Sequence, residues 1–115
     1  MSADTKSATL HSAASTGNGT ALEVTGYGVV GLGIVGSAGA DRVVNFEASQ
    51  DGTTYVAIQA TNAATGTAAL TATVTGTTAQ LWRMAVGGFR LVRARLSGGT
   101  TGTVTITATA LEGVM

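Results

Sequence analysis

The sequence predicts an all-β fold: an antiparallel β-sandwich, of jelly-roll or immunoglobulin-like type, with about eight short strands behind a polar N-terminal arm. Three observations carry that expectation. Apolar and polar residues alternate with a period of two over short runs, and clusters of Gly, Asn, Asp, Ser and Thr separate those runs. No window shows the 3.6-residue period of an amphipathic helix. Of the 115 residues, 21 are Thr, 20 Ala and 17 Gly, which suits exposed pleated faces, a thin core and tight bends.

Residues 1–19 are small and polar with no sustained period, and read as an extended arm; residues 20–115 read as the sandwich domain. Ala21 to Thr25 and Val29 to Val35 are short strands. The second of these contains Gly31, Gly33 and Gly36 in the order GxGxxG, and Gly26, Gly28 and Gly31 make an overlapping copy. A dinucleotide site would need a helix after the glycines, to present its N-terminus to a pyrophosphate, and the sequence continues instead into another strand. The glycines therefore read as a buried strand bent or bulged where another backbone approaches.

Val44, Phe46 and Ala48 alternate with Asn45, Glu47 and Ser49, and Val56 and Ile58 share a face of the returning run Thr54 to Ala60. Asp51 and Gly52 between them predict a type I′ hairpin turn, in which both central residues take positive φ. A second hairpin is expected where Gly87 and Gly88 join Ala79–Val86, with Trp82, Met84 and Val86 on one face, to Phe89–Leu96, with Val92, Ala94 and Leu96. Two further runs have a Thr face: Leu70, Ala72 and Val74 oppose Thr71, Thr73 and Thr75, and Val104, Ile106 and Ala108 oppose Thr103, Thr105 and Thr107. The expected core is Val44, Phe46, Val56, Ile58, Trp82, Met84, Val92, Leu96, Val104 and Ile106.

The composition narrows the chemistry. With no Cys there is no disulfide, thiolate metal site or cysteine nucleophile. His11 is the single histidine and lies in the arm, and Asp4, Glu23, Asp41, Glu47, Asp51 and Glu112 form neither a calcium-loop spacing nor a close catalytic pair. Asp51 is accounted for by its turn and Glu47 by an exposed strand face. No enzyme activity, metal or cofactor is expected. The start of the chain lacks the apolar run of a signal peptide, and its most apolar stretch, Tyr27 to Val35, falls far short of the roughly 20 residues of a membrane span. Synthesis in a host cytoplasm without export is the expectation.

Charged residues are 10% of the chain against roughly 25% in ordinary domains, and the net charge is zero. With only five aromatics (Tyr27, Phe46, Tyr55, Trp82, Phe89) and little charge to oppose association, a homo-oligomer is expected. Residues 1–75 carry Lys6 and Arg42 against five carboxylates, whereas residues 76–115 carry Arg83, Arg90, Arg93 and Arg95 against Glu112 alone. Arg93 and Arg95 share a strand face, with Arg83 expected beside them on the neighbouring hairpin strand. Those three, with Lys6 and His11 of the arm, are the candidate interface residues, because arginine forks suit contacts with carboxylates. Zero net charge and the lack of interleaved aromatics argue against nucleic acid.

Three segments occur in a telling order: Val44 to Tyr55 (VNFEASQDGTTY), Gly87 to Leu96 (GGFRLVRARL) and Gly102 to Thr107 (GTVTIT). Together they resemble small β-sandwich virion proteins of tailed bacteriophages, and the resemblance covers roughly residues 43–110. Among these the chain is most similar to head decoration, or cement, proteins. The resemblance implies a non-enzymatic protein on the capsid surface, commonly a trimer, that clamps neighbouring major capsid proteins. The arm would then order on binding its partner. Two other readings are a carbohydrate-binding or host-adhesion module, with Tyr27 or Tyr55 stacking on a glycan, and a tail-tube or connector subunit.

Overall fold

The computed structural model describes residues 5–112. They form eleven strands: β1 (Thr5–Ala14), β2 (Leu22–Glu23), β3 (Val29–Gly36), β4 (Val43–Ser49), β5 (Val56–Ala57), β6 (Ala60–Asn62), β7 (Ala68–Ala69), β8 (Thr71–Thr73), β9 (Gln80–Ala85), β10 (Leu91–Ser97) and β11 (Val104–Leu111). One sheet has six strands in the order β1-β11-β3-β9-β6-β7; the other runs β2-β10-β4-β5, with β8 also paired to β4. Every pairing is antiparallel. The all-β sandwich expected from the alternation is the fold observed, with more and shorter strands than expected.

The core lies between the sheets and is filled from alternating positions. Val30, Leu32 and Ile34 of β3, Trp82 and Met84 of β9, and Val104, Ile106, Ala108 and Ala110 of β11 point in from one side. Val44, Phe46 and Ala48 of β4 and Val92, Ala94 and Leu96 of β10 point in from the other. Phe46 meets Trp82 across the centre with ring centroids 5.1 Å apart and planes inclined by 43°. The indole Nε1 donates to Gln80 Oε1 at 2.9 Å, which satisfies the one polar atom that the ring buries.

Four expectations are corrected. The second hairpin does not exist: β9 pairs with β3 and β6, and β10 with β4 and β2, in opposite sheets. A hairpin would set both apolar faces on one side, whereas crossing between sheets lets Trp82 and Met84 cover Val92 and Leu96. Gly87 and Gly88 still form the turn, with Phe89 N–H donating to the Val86 carbonyl at 2.9 Å and Gly88 at φ 92°.

The turn at Asp51 and Gly52 is not type I′ either, since Gly52 has φ 79° but Asp51 does not take positive φ. The loop is a carboxylate-centred one: Asp51 Oδ1 accepts from the Thr53 and Thr54 N–H groups, both at 2.8 Å, and from the Ser49 hydroxyl at 3.0 Å. β5 consequently keeps only two ladder positions, and Val56 is 63% exposed rather than in the core, while Ile58 is half-buried. The chain then crosses to the other sheet at β6.

The largest correction concerns the arm. Thr5–Ala14 is the outer strand of the six-stranded sheet, paired along β11 from Thr5↔Leu111 to Ala14↔Val104. Register shifts between Thr9 and His11 and between His11 and Ala14, with Ala13 at φ 48°, turn both Leu10 and His11 inward. His11 Nε2 donates to the Ala94 carbonyl of β10, and Gly17 exchanges backbone hydrogen bonds with Leu96, so this segment closes one edge between the sheets. The bulges are also why the sequence shows no alternation there. Residues 1–4 of the expected arm lie outside the described residues.

The GxGxxG glycines lie on an ordinary extended strand, with no helix after them. Gly36 is required by contact: a Cβ there would stand 2.5 Å from the Gly76 carbonyl oxygen and 2.8 Å from Ala40 Cβ. Gly31 has no such neighbour, the nearest atom being 4.0 Å away.

Three outcomes follow for stability. Leu10→Ala lowers the unfolding free energy by about 2–5 kcal/mol in urea titrations, and deleting residues 1–14 abolishes soluble folded protein by size-exclusion and near-UV circular dichroism. Gly36→Ala destabilises by about 1–3 kcal/mol, whereas Gly31→Ala stabilises by about 0.5–1 kcal/mol, as expected where a strand glycine is unnecessary. The third concerns pH. The Thr54 and Thr53 N–H groups and the Ser49 hydroxyl hold the Asp51 carboxyl down at about 2, from an ordinary value of 3.8. A lowered folded-state value contributes stability that is complete above the ordinary value and is lost as pH falls through about 2. In urea midpoints, the deficit of Asp51→Asn relative to the native chain is therefore full at neutral pH and closes as the pH approaches 2.

Candidate functional site

The outward faces of β4 and β10 carry the densest group of chemically active side chains. Inward Val92, Ala94 and Leu96 leave Arg93 and Arg95 facing out, and inward Val44, Phe46 and Ala48 leave Asn45 and Glu47 facing out. The register sets Arg93 directly opposite Glu47 and Arg95 opposite Asn45. Glu47 takes one guanidinium on each oxygen: Arg93 Nε donates to Oε1 at 2.8 Å and Arg95 Nε to Oε2 at 3.0 Å.

Tyr55 of the Asp51 loop completes the cluster, its ring centroid 3.8 Å from the Arg93 guanidinium carbon. Asn45 Nδ2 donates to the Arg95 carbonyl at 2.9 Å and to Ser97 Oγ at 2.8 Å, fixing the strand beneath. Covered in this way, Glu47 is only 8% exposed, which corrects its assignment to an exposed strand face. The cluster holds two cations and one anion.

The five residues expected at an interface do not come together. Arg93 and Arg95 do; Arg83 is exposed on β9 of the other sheet, Lys6 is exposed on β1 with Nζ donating to the Glu23 carbonyl at 3.1 Å, and His11 of the same strand is turned inward and buried. Glu47 and Tyr55 are the members that sequence reasoning missed. Their join to the arginines depends on β4 lying beside β10, a pairing of strands more than 40 residues apart that no local signal announces.

On the opposite face of the same sheet from this cluster, Ala48, Val56, Ile58 and Phe89 line an apolar cleft of about 430 Å³ rimmed by Ser49, Gln50, Asp51 and Thr54. On the opposite sheet, Gly31 and Gly33 floor a smaller trough of about 320 Å³ between Leu81 and Arg83 on one side and Thr107 and Thr109 on the other. Among the described residues no three of His, Cys, Asp and Glu are grouped to hold a metal ion, and no helix is long and apolar enough to cross a membrane. Asp41 is taken up structurally: it accepts from the Thr101 and Thr100 N–H groups, both at 2.9 Å, which lower its pKa and tie the β10–β11 loop to the end of β3 and β4.

Comparisons with known proteins agree with this architecture. The structure of the SPBc2 prophage-derived protein YomS superposes with a TM-score of 0.83 at 22% identity, covering 95% of this chain and 94% of that one. The PBSX exported protein XepA superposes equally well, with a TM-score of 0.83 at 21% identity over 95% of this chain, but the match spans only 38% of its length. At these identities the likeness establishes a shared fold. No curated protein matches the sequence. The XepA family model matches residues 4–110, nearly the whole chain, and the chain therefore belongs to the XepA family.

Proposed function

We propose that the chain is a non-enzymatic structural protein of a phage particle, a homo-oligomer, in its simplest form a trimer, that decorates the capsid exterior and clamps neighbouring major capsid proteins. The observation that carries the reading is the outer face of β4 and β10. Arg93 and Arg95 beside Tyr55 are the residue types that protein interfaces concentrate. The family membership supports a phage role, and YomS, matched over 94% of its length, is a prophage protein of similar extent. Several such faces on one oligomer engage adjacent shell subunits together, so individually weak contacts add up through effective concentration.

A second reading is favoured by the description of the PBSX relative as an exported protein: this chain would then act outside the cell, free of the particle. A glycan-binding role draws less support, because the Tyr55 ring is occupied by Arg93 and Tyr27 is half-buried.

Density-gradient fractionation of an induced lysate, probed with an antibody to the chain, separates these readings. Decoration predicts co-sedimentation with heads, and light scattering on the purified protein predicts a multiple of the monomer mass. A monomer recovered only in the soluble fraction overturns the proposal in favour of the exported reading, and sedimentation with headless tails overturns it in favour of a tail subunit.

A further inference from the structure

From the way Glu47 holds Arg93 and Arg95, we infer that this cluster is a preformed receptor for a single carboxylate of a partner polypeptide, an inference that rests on the chain being a protein-binding module. Each arginine has five N–H donors, and the contact with Glu47 uses only Nε on each. Among the described residues none of the terminal Nη groups of Arg93 or Arg95 meets an acceptor. Two guanidinium forks are thus fixed side by side with their terminal edges unused.

The cluster is held before any ligand arrives. The β4–β10 ladder runs without a break from Leu91↔Ser49 to Ser97↔Val43, Tyr55 packs on Arg93, and Glu47 is buried under both arginines. The Arg93 and Arg95 side chains are 18% and 36% exposed, so a ligand meets ordered donors rather than long free side chains and loses little conformational entropy in binding. Glu47 is a positioning residue here.

Charge selects the ligand. Two guanidinium groups against one carboxylate leave one positive charge, which a single carboxylate balances and a phosphate monoester, at about −1.5 to −2, exceeds. A polyanion would need a track of further cations. Arg90 instead donates to the Gln50 carbonyl at 3.2 Å, Arg42 to the Gly102 carbonyl at 3.0 Å, and Arg83 lies on the other sheet.

The test follows the Arg Nε–Hε signals of the full-length protein by NMR during titration with hexaglutamate, hexaglutamine and inorganic phosphate. Hexaglutamate is expected to shift the Arg93 and Arg95 signals saturably, with hexaglutamine inert and phosphate weaker. Arg95→Gln and Arg95→Lys are both expected to weaken hexaglutamate binding by about tenfold, because the lysine keeps the charge but loses the fork. Glu47→Gln makes the patch more positive, so a nonspecific electrostatic surface would bind more tightly; loss of positioning predicts weaker binding. Thermal melts confirm that each variant is folded, and Arg93→Gln serves as the second variant if Arg95→Gln is not. Tighter binding in Glu47→Gln, native-like binding in Arg95→Lys, preference for phosphate, or no response to hexaglutamate overturns the inference. So does dissociation of the oligomer in Arg95→Gln, which would assign the cluster to contacts between copies of this chain. Hexaglutamate binding without capsid association overturns the decoration reading alone, and capsid association without hexaglutamate binding overturns the receptor alone.

Discussion

Phe46 against Trp82 is the contact on which the sandwich is built, because it is the one aromatic pair among the described residues, in a core otherwise filled by Val, Ala, Met84 and a few Leu and Ile. Small side chains bury little area each, at roughly 25 cal/mol per Å². Neither sheet alone could hide enough apolar surface, so successive strands are divided between the two. The chain changes sheet at every connection except β4 to β5 and β6 to β7, and between β7 and β8 Leu70 is the only intervening residue. Frequent crossing explains why β5 and β7 have only two residues each: a strand that must reach the other layer soon after it starts has no room for a longer ladder.

The same constraint shapes the loops and the edges. A chain without proline sets its bends by glycine and by carboxylates that accept backbone N–H groups. Asp51 organises the β4–β5 loop and Asp41 the β10–β11 loop, where Gly99 and Gly102 take φ 69° and 83° and approach Asp41 and Ala40 too closely for a side chain. At the open edge between the sheets, β1 does a different job. Its bulges direct Leu10 and His11 inward, and His11 satisfies a β10 carbonyl beyond the reach of the short β2. A buried histidine in this position is part of the fold's closure, and its imidazole is unavailable to a partner.

The face proposed to meet a partner lies on the outside of this frame. The inward residues of β4 and β10 supply the core, and the same alternation delivers Arg93, Arg95 and Glu47 to the opposite face in a fixed register. Rigid strands position the arginines better than loops would, and Tyr55, from the Asp51-centred loop, caps one of them. The apolar cleft on the other face of this sheet exists because β5 breaks off after Ala57, leaving Val56 without a covering strand. An exposed apolar cleft therefore arises from the same short-strand economy that builds the core.

Much of this was legible in the residues. Period-two alternation identified the sandwich class and the inward faces of Val44 and Phe46, Trp82 and Met84, Val92 and Leu96, and Val104 and Ile106, all of which are buried. It also placed Arg93 and Arg95 together on one outward face. Alternation says which side of a strand a residue faces, and nothing about which strand lies next to it. Hence the mistaken hairpin at Gly87 and Gly88, the separation of Arg83 from its expected companions, and the missed Glu47 bridge. The polar N-terminal segment was misread because bulges erase the period that marks a strand. By itself the sequence determined the side of each strand that is apolar, since side-chain chemistry is local and the pleat alternates. Only the tertiary structure decided which sheet each strand joins and which charges meet, because those depend on apolar faces finding cover across distances in sequence that no local pattern encodes.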